Sequence, residues 1–293
     1  MVVSVNGAII TFIIGGGLIW LGAFFIWRLV YCHRGLSLTL PILLPVGAVI
    51  LMTCILGMTE IISGLFWGTV VINLGLIGII GLCFGARISW HENLLAILWL
   101  AFAWLMCSFA GYQGNLGRFS GLGLVLVGEI AVWQNIKTEK ISLGCACGWQ
   151  WWVKLLFVIL LLLLGAWLVV WCQPVVAVTC GLPVTVFSAV VLAPICSMTT
   201  LLGLRNHGKW QPEKVLSGLT WGNVILTTAG LGLVTVLIGG LHLVQSTVAV
   251  ILPWAAGLEV LSIVVTVSPQ KTARWWSGLM VVMYCAYLFS LLW

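Results

Sequence analysis

The sequence predicts an all-α membrane protein of about ten transmembrane helices, arranged as two inverted repeats of five helices. Three observations predict this fold: the composition, a long internal repeat, and the uneven distribution of positive charge between the loops. Of the 293 residues, 62% are hydrophobic and only 6% are charged, whereas a soluble globular chain carries about 25% charged residues. Apolar runs of about 20 residues recur along the chain, each long enough to cross a bilayer as a helix.

The first five predicted helices are apolar runs separated by charged or turn-forming residues. No Lys or Arg precedes the first run, so we expect no cleaved signal peptide. Arg34 closes the first helix, Arg87 marks the exit of the third, and a polar loop that begins with Lys137 follows the fifth. The predicted bounds are Ala8–Val30, Leu36–Gly57, Ile61–Phe84, Glu92–Tyr112 and Phe119–Ile136.

The second five predicted helices follow the same plan. Pro194 interrupts the seventh helix, and the stretch Arg205–Lys214 between the seventh and eighth is the most hydrophilic in the chain. Arg274 precedes the tenth helix as Arg118 precedes the fifth. The predicted bounds are Val153–Cys172, Leu182–Leu204, Val215–Gly240, Leu243–Val267 and Trp275–Leu292.

A repeated pair of motifs divides the chain into two copies. Met52–Gly57 matches Met198–Gly203, and Ser63–Gly68 matches Ser217–Gly222. The first pair of motifs is 146 residues apart and the second pair is 154 residues apart, so the second copy carries extra residues between its motifs. We therefore predict a first repeat over 1–136, a cytoplasmic linker over 137–152 and a second repeat over 153–293.

Positive charges in the predicted loops lie almost entirely on one side of the membrane. The other side holds Arg118 alone. By the positive-inside rule, the positive side is cytoplasmic, which places both termini outside the cell and the protein in the plasma membrane. Because five is an odd number, the second repeat enters the membrane inverted, as in secondary transporters whose site lies where the repeats meet. The residues of the positive side are Arg34, Arg87, Lys137, Lys140, Arg205, Lys209, Lys214, Lys271 and Arg274.

Prolines inside helices two and seven point to candidate ligands. A proline frees a backbone carbonyl that a neighbour or a ligand must satisfy, so both helices are predicted to be broken around a cavity. Thr53, Cys54, Thr199 and Thr200 follow these prolines and offer hydroxyl and thiol groups. The alternative is that these side chains bond back to their own helices and only pack. The Gly64–Gly68 and Gly218–Gly222 pairs are interpreted as sites of close helix packing.

Two glutamates fall inside predicted helices. Glu129 and Glu259 lie well within apolar runs, and an intramembrane carboxyl group is a functional candidate by default. We consider them possible coupling carboxylates, with a neutral, hydrogen-bonded carboxyl as the alternative. They do not occupy equivalent positions in the two repeats. Glu60, Glu92 and Glu213, which stand at the ends of apolar runs, are interpreted as interfacial.

Several functional classes find no support in the residues. Most of the ten cysteines sit inside apolar runs, which argues against a disulfide framework. Cys145 and Cys147 lie in a loop but lack the spacing or a nearby histidine for zinc. No nucleophile–base pair is visible. We expect no enzyme, no cofactor, no metal centre and no binding to nucleic acid.

Two segments of the second copy resemble motifs of the cation/calcium exchanger superfamily, which includes the sodium/calcium exchangers. Ser197–Leu201 is similar to the family's Ser-Leu-Pro-Glu-Leu, and Gly218–Val224 is similar to its Gly-Asn-x-x-Gly-Ser-Asn. The resemblance implies two inverted five-helix repeats, external termini and a cation site. The family's cation-binding Glu aligns with Cys54 and Thr200. Its motif Ser aligns with Thr69 and Asn223, and its motif Asn with Val70 and Val224.

These replacements imply a degenerate cation site. Calcium takes six to eight oxygen ligands, normally including carboxylates, and the chain contains no Asp. We therefore expect transport that is not calcium exchange of the family's usual type. The candidate ligands are Thr53, Cys54, Thr69, Thr199, Thr200 and Asn223.

The leading hypothesis is a transporter in the lipid bilayer that moves a monovalent cation, a proton-coupled species or a small neutral solute. The alternative is a non-transporting membrane protein that kept the fold and acts as a partner or regulatory subunit of another membrane protein. A third hypothesis is a drug/metabolite transporter, a ten-helix class that usually keeps both termini in the cytoplasm.

Overall fold

The computed structural model of the chain describes residues 4–32, 39–86, 96–103, 105, 114–138, 149–206, 209–210, 212–242 and 245–292. Ten helices lie within these residues. Those of the first half are α1 Val5–Cys32, α2 Leu40–Ile55, α3 Thr59–Phe84, α4 over 96–103, and α5 Arg118–Thr138. Those of the second half are α6 Trp149–Thr179, α7 Val184–Leu204, α8 Pro212–Ile238, α9 Gln245–Val267 and α10 Gln270–Leu292.

The outside of the bundle is apolar. Among the described residues, seven helices are long and apolar enough to cross a membrane, and α2 is a shorter apolar helix of 16 residues. Large side chains such as Ile13, Leu126, Phe157 and Phe289 are exposed on the surface of the bundle. Exposed apolar surface on this scale suits a hydrocarbon solvent and not water. The chain is therefore a multi-pass membrane protein, and its predicted helix order is confirmed.

Helices α3 and α8 form the centre of the bundle. α3 packs against α7, α8, α9 and α10. Of the residues in its most apolar 18-residue stretch, 89% are buried. α8 packs against α2, α3, α5 and α7. A helix that is apolar all round belongs in such a position. α1 and α6 lie along each other, and a methyl group added at Gly15 would stand 2.8 Å from the carbonyl oxygen of Gly165.

Two helix pairs make matching contacts in the two halves of the chain. Gly78 of α3 packs against Met280 of α10, and Gly232 of α8 packs against Leu124 of α5. Gly232 follows Gly78 by 154 residues, which is the offset of the second motif pair. A methyl group would stand 2.8 Å from the Met280 side chain at Gly78 and 2.9 Å from the Leu124 side chain at Gly232. Both crossings therefore depend on the missing side chain of glycine.

The ends of α3 and α8 match as well. Gly85 and Gly239, again 154 residues apart, follow these helices in the left-handed conformation, with φ of 63° and 82°. Such glycine caps are common at helix ends because other residues are strained there. Arg274 of α10 lies against Gly85 and donates a hydrogen bond to the Leu82 carbonyl at 3.2 Å. Arg118 of α5 lies against Gly239.

The predicted break of helix two is wrong. α2 is a continuous α-helix over Leu40–Ile55 despite Pro41 and Pro45. Pro41 stands in the first turn, where the missing N–H has no partner within a helix. Pro45 removes only one hydrogen bond further along. The helix therefore tolerates both prolines.

Helix seven is irregular, as its proline predicts. A π-turn over Ser188–Leu192 precedes Pro194, and a 3-10 turn over Met198–Leu204 ends the helix. α8 contains a second π-turn over Leu226–Gly230, which the sequence analysis did not predict. One extra residue in a turn leaves no visible trace in the apolar pattern.

Two other expectations need qualification. α6 begins at Trp149, inside the predicted linker, and continues beyond Cys172 to Thr179 although Pro174 stands within it. Its predicted bounds are therefore too short at both ends. Glu92, Cys145, Cys147 and most of predicted helix four lie outside the described residues.

Two short antiparallel strand pairs complete the described fold. β1 Asn115–Gly117, before α5, pairs with β4 Gly240–His242, which follows α8. β2 Arg205–Asn206 pairs with β3 Lys209–Trp210 as a hairpin between α7 and α8. This hairpin occupies the place where the second copy has its extra residues, whereas α2 and α3 are joined directly by a short turn.

Candidate functional site

Helices α3 and α8 meet at a buried pair of amides. The Nδ2 of Asn73 donates a hydrogen bond to Oδ1 of Asn223 at 2.7 Å. The Nδ2 of Asn223 donates to the Val70 carbonyl at 3.5 Å. The two side chains are 1% and 0% exposed. The pair joins the two copies of the repeat at the centre of the bundle.

Each asparagine of the pair has a threonine one helical turn away. Thr69 precedes Asn73 on α3 and Thr227 follows Asn223 on α8, and residues four apart share a helix face. Thr69 and Asn223 are 154 residues apart, as are Asn73 and Thr227. Each copy therefore supplies one Asn and one Thr, in opposite order. We call Thr69, Asn73, Asn223 and Thr227 the central cluster.

Helix α7 places two further hydroxyl groups beside α3 and α8. Ser197 and Thr200 are buried where α7 changes from α-helix to 3-10 turn. The contact with α3 is close, because a methyl group at Gly68 would stand 2.6 Å from the Cα of Ala189. The small residues of the Gly64–Gly68 pair therefore serve helix packing, as the sequence predicts, and they bring α7 up to the central cluster.

Four buried oxygens in this region make no hydrogen bond within the described residues. They are Oγ1 of Thr69, Oδ1 of Asn73, Oγ of Ser197 and Oγ1 of Thr200. Buried polar atoms are nearly always paired, and an unpaired one costs free energy. These oxygens lie on α3 and α7, and α7 packs against both α3 and α8.

Two predicted ligands bond to their own helices. Thr53 of α2 donates its hydroxyl proton to the Val49 carbonyl at 2.6 Å. Thr199 of α7 donates to the Cys196 carbonyl at 2.6 Å, and its own carbonyl accepts a hydrogen bond from Nε1 of Trp27 at 3.0 Å. These contacts agree with the packing alternative for Thr53 and Thr199. Cys54, the predicted thiol ligand, is a half-buried free thiol.

The helices around the central cluster carry almost no charge. α2 and α7 contain no charged residue, and those of α3 and α8 stand only in the first turns. These residues, Glu60, Glu213 and Lys214, are exposed, as the interfacial interpretation of the two glutamates predicts. Within the described part of the chain, no group of three or more His, Cys, Asp or Glu residues is placed to hold a metal ion. The side chains of the central cluster therefore offer only neutral amide and hydroxyl groups.

The two intramembrane carboxyl groups lie apart from each other. Glu129 is exposed on the outer face of α5, in a groove of about 320 Å³ that Trp133 and Leu233 also line. Glu259 is buried on α9, which packs against α3 and α10. In the described residues, neither oxygen of Glu259 has a hydrogen-bond partner. No hydrogen bond connects either carboxyl group to the central cluster.

Three buried residues of this region were not predicted from the sequence. Asn73 and Thr227 are one turn beyond Thr69 and Asn223, and the reciprocal order of Asn and Thr in the two copies was the signal that could have found them. Gln173 of α6 donates to the Ser188 hydroxyl in the π-turn of α7 and to the Val184 carbonyl at 3.4 Å. It belongs to no repeated motif, so no pattern pointed to it.

The fold and the site define a class: the chain is a helical membrane protein with the fold of the cation/calcium exchangers. No protein-family model and no curated protein matches its sequence. Solved structures do match over nearly the whole chain. The structure of the H+/Ca2+ exchanger CAX matches with a TM-score of 0.70 and 16% identity, over 97% of this chain and 88% of CAX.

Two further structures agree with this assignment of the fold. The sodium-calcium exchanger NCX_Mj matches with a TM-score of 0.66 and 18% identity, over 98% of this chain and 99% of NCX_Mj. Native YfkE matches with a TM-score of 0.73 and 11% identity, over 98% and 92% of the two chains. The resemblance predicted from the two sequence motifs is thus confirmed at the level of the fold.

Proposed function

We propose that the chain is a member of the cation/calcium exchanger superfamily and transports a monovalent cation through the central cluster. The observation that carries this proposal is the group of unpaired, uncharged oxygens at the junction of α3, α7 and α8. Cation transport is inferred from the exchangers that share the fold, CAX and NCX_Mj. The choice of cation is inferred from the ligands.

An inverted repeat is part of this proposal. The crossings at Gly78 and Gly232 and the glycine caps at Gly85 and Gly239 relate α3 to α8 by the same offset of 154 residues. Because each half has five helices, two halves related in this way have opposite orientations in the membrane. Substrate sites of such transporters lie where the repeats meet, and the Asn73–Asn223 hydrogen bond lies there. The bias of positive charge favours external termini.

The ligands favour a monovalent cation over calcium. Calcium is normally bound with several carboxylates, whereas the central cluster offers amide and hydroxyl oxygens. The cost of taking an ion out of water rises steeply with its charge, and only charged partners offset it for a divalent ion. Neutral oxygens suffice for sodium or potassium, as the carbonyl rings of potassium channels illustrate.

A non-transporting role has less support. Unpaired oxygens at the junction of three helices reduce stability, so a protein that had lost its ligand would gain by replacing them with apolar groups. The same unpaired oxygens also suit a small neutral polar solute as the substrate. The exchanger fold makes the cation the stronger choice.

Thermal stability of the purified protein tests the proposal. We expect sodium or potassium, but not calcium or manganese, to raise the melting temperature. A cation at ten times its dissociation constant raises the free energy of unfolding by about 1.4 kcal/mol. The double variant Thr69→Val/Thr200→Val removes two unpaired hydroxyls and should lose this response. Thr53→Val, which removes a hydroxyl bonded to its own helix, is the matched control and should keep it. Stabilisation by calcium alone would overturn the proposal.

A further inference from the structure

We propose that this transporter is a uniporter: it returns across the membrane without a bound cation, so that cation movement requires no counter-ion. The inference rests on the proposed function and concerns the same site. It follows from the absence of charge in the four helices that surround the central cluster, together with the hydrogen bonds that the cluster makes within itself.

Charge in a central site enforces exchange. A carrier that opens alternately to the two sides must pass through a form in which its centre is closed to both. If the centre holds carboxylates, closing it without a cation buries unpaired negative charge, which is strongly unfavourable. Such a carrier crosses only when loaded, and every cation that leaves must be replaced by another.

The central cluster lacks this constraint. In α2, α3, α7 and α8 the charged residues are confined to the exposed first turns of α3 and α8. The Nδ2 of Asn73 donates a hydrogen bond to Oδ1 of Asn223 at 2.7 Å, and the Nδ2 of Asn223 donates to the Val70 carbonyl at 3.5 Å. The hydroxyl of Thr227 donates a hydrogen bond to the backbone carbonyl of Asn223 at 2.7 Å. The protein therefore closes its centre without burying a charged side chain of these four helices.

Neither intramembrane carboxyl group lies on one of these four helices. Glu129 faces outward from α5 and Glu259 lies on α9, and neither is hydrogen-bonded to the cluster. A neutral site that carries one monovalent cation moves one positive charge in each cycle. Transport is therefore electrogenic as well as independent of a counter-ion.

Net sodium uptake into proteoliposomes tests the inference. The vesicles contain only a large organic cation, external sodium is added at equal pH on both sides, and a protonophore is present or absent. We expect uptake with the protonophore, which removes the accumulating charge. Without the protonophore, the sodium that enters makes the vesicle interior positive. A potential of about 100 mV lowers the equilibrium ratio of internal to external sodium about fifty-fold, so uptake should stop early. Parallel vesicles receive rubidium in place of sodium.

Variants that add one charge to the site make the test specific. Asn73→Asp and Asn223→Asp each place a carboxylate in the central cluster. We expect net uptake to fall at least about tenfold while exchange of internal for external sodium continues, which also shows that the variants fold. Asn135→Asp makes the same change at a buried asparagine of α5 and should behave like the unmodified protein.

The possible failures are distinguishable. If the unmodified protein takes up cations only when cations are present on the other side, or without need of the protonophore, the uniport inference is wrong and the proposed function stands. If the variants keep full net uptake, the role assigned to site charge is wrong. If neither net uptake nor exchange occurs with sodium or rubidium, the proposed function itself fails and the inference with it.

Discussion

Asn73 of α3 donates a hydrogen bond to Asn223 of α8, with 2.7 Å between the amide nitrogen and the amide oxygen. The two residues lie in different halves of the chain and are not equivalent in the repeated sequence. The position equivalent to Asn73 is Thr227, and the position equivalent to Asn223 is Thr69. Helices α3 and α8 thus contribute unlike positions of the repeated sequence to one pair of amides.

The amide pair should behave as a coupled unit in stability. Asn73→Leu leaves the Asn223 amide buried without its partner, and we expect a loss of about 1–3 kcal/mol. Asn223→Leu should cost a similar amount. The double variant should cost less than the sum, because replacing both partners by apolar groups removes the unpaired group. Thermal unfolding of the purified protein measures all three, and strictly additive losses would show that the pair is not coupled.

The glycine crossings should respond alike in the two halves. A methyl group at Gly78 meets the Met280 side chain, and one at Gly232 meets the Gly121 carbonyl oxygen at 2.7 Å. We expect Gly78→Ala and Gly232→Ala each to lower stability by about 1–3 kcal/mol. Gly47 of α2 has no atom within 4 Å of such a methyl group, so Gly47→Ala should leave stability unchanged or raise it by up to about 1 kcal/mol. Equal tolerance at all three positions would argue against the packing described.

The sequence predicts the order of the helices because apolar length and charge determine it locally. The exchanger fold was also predictable, since the glycine spacing of two motifs survives in both copies. The candidate site stays a prediction. Thr69, Thr200 and Asn223 lie at the helix junction, whereas the hydroxyls of Thr53 and Thr199 are bonded to their own helices.

What the sequence did not predict depends on contacts between distant segments. The Gln173–Ser188 hydrogen bond joins α6 to a π-turn of α7, and neither residue stands in a repeated motif. The continuity of α2 depends on where its prolines fall relative to the first turn. That turn begins only at Leu40, beyond the predicted start at Leu36.

The orientation in the membrane can be tested with cysteine labelling. Cys180 follows α6 and is exposed, and external termini place it outside the cell. In a variant whose only cysteine is Cys180, we expect a membrane-impermeant maleimide to label intact cells. In a cysteine-free variant carrying Gln270→Cys, at the exposed first residue of α10, labelling should require permeabilisation. The opposite pattern would favour cytoplasmic termini, as in the drug/metabolite transporters.

The two carboxyl groups can be tested together. If Glu129 or Glu259 couples protons to transport, the variant Glu129→Gln/Glu259→Gln should lose cation flux driven by a pH gradient. Our account places the ligands on α3, α7 and α8, so we expect flux at constant pH to remain within about twofold of the unmodified protein, because a distant neutral substitution removes no ligand. Loss of all flux in a variant with the same melting temperature as the unmodified protein would show that one of these carboxyl groups takes part in transport.

The central claim is that neutral oxygens at the junction of α3, α7 and α8 carry a monovalent cation. Isotope exchange in proteoliposomes tests it most directly, because exchange occurs whether the carrier is a uniporter or an exchanger. We expect radioactive sodium or rubidium to equilibrate across vesicles that contain the protein, and the Thr69→Val/Thr200→Val variant to slow this exchange at least about tenfold, which corresponds to about 1.4 kcal/mol. Radioactive calcium should not equilibrate. Exchange of calcium without exchange of sodium or rubidium would contradict the account.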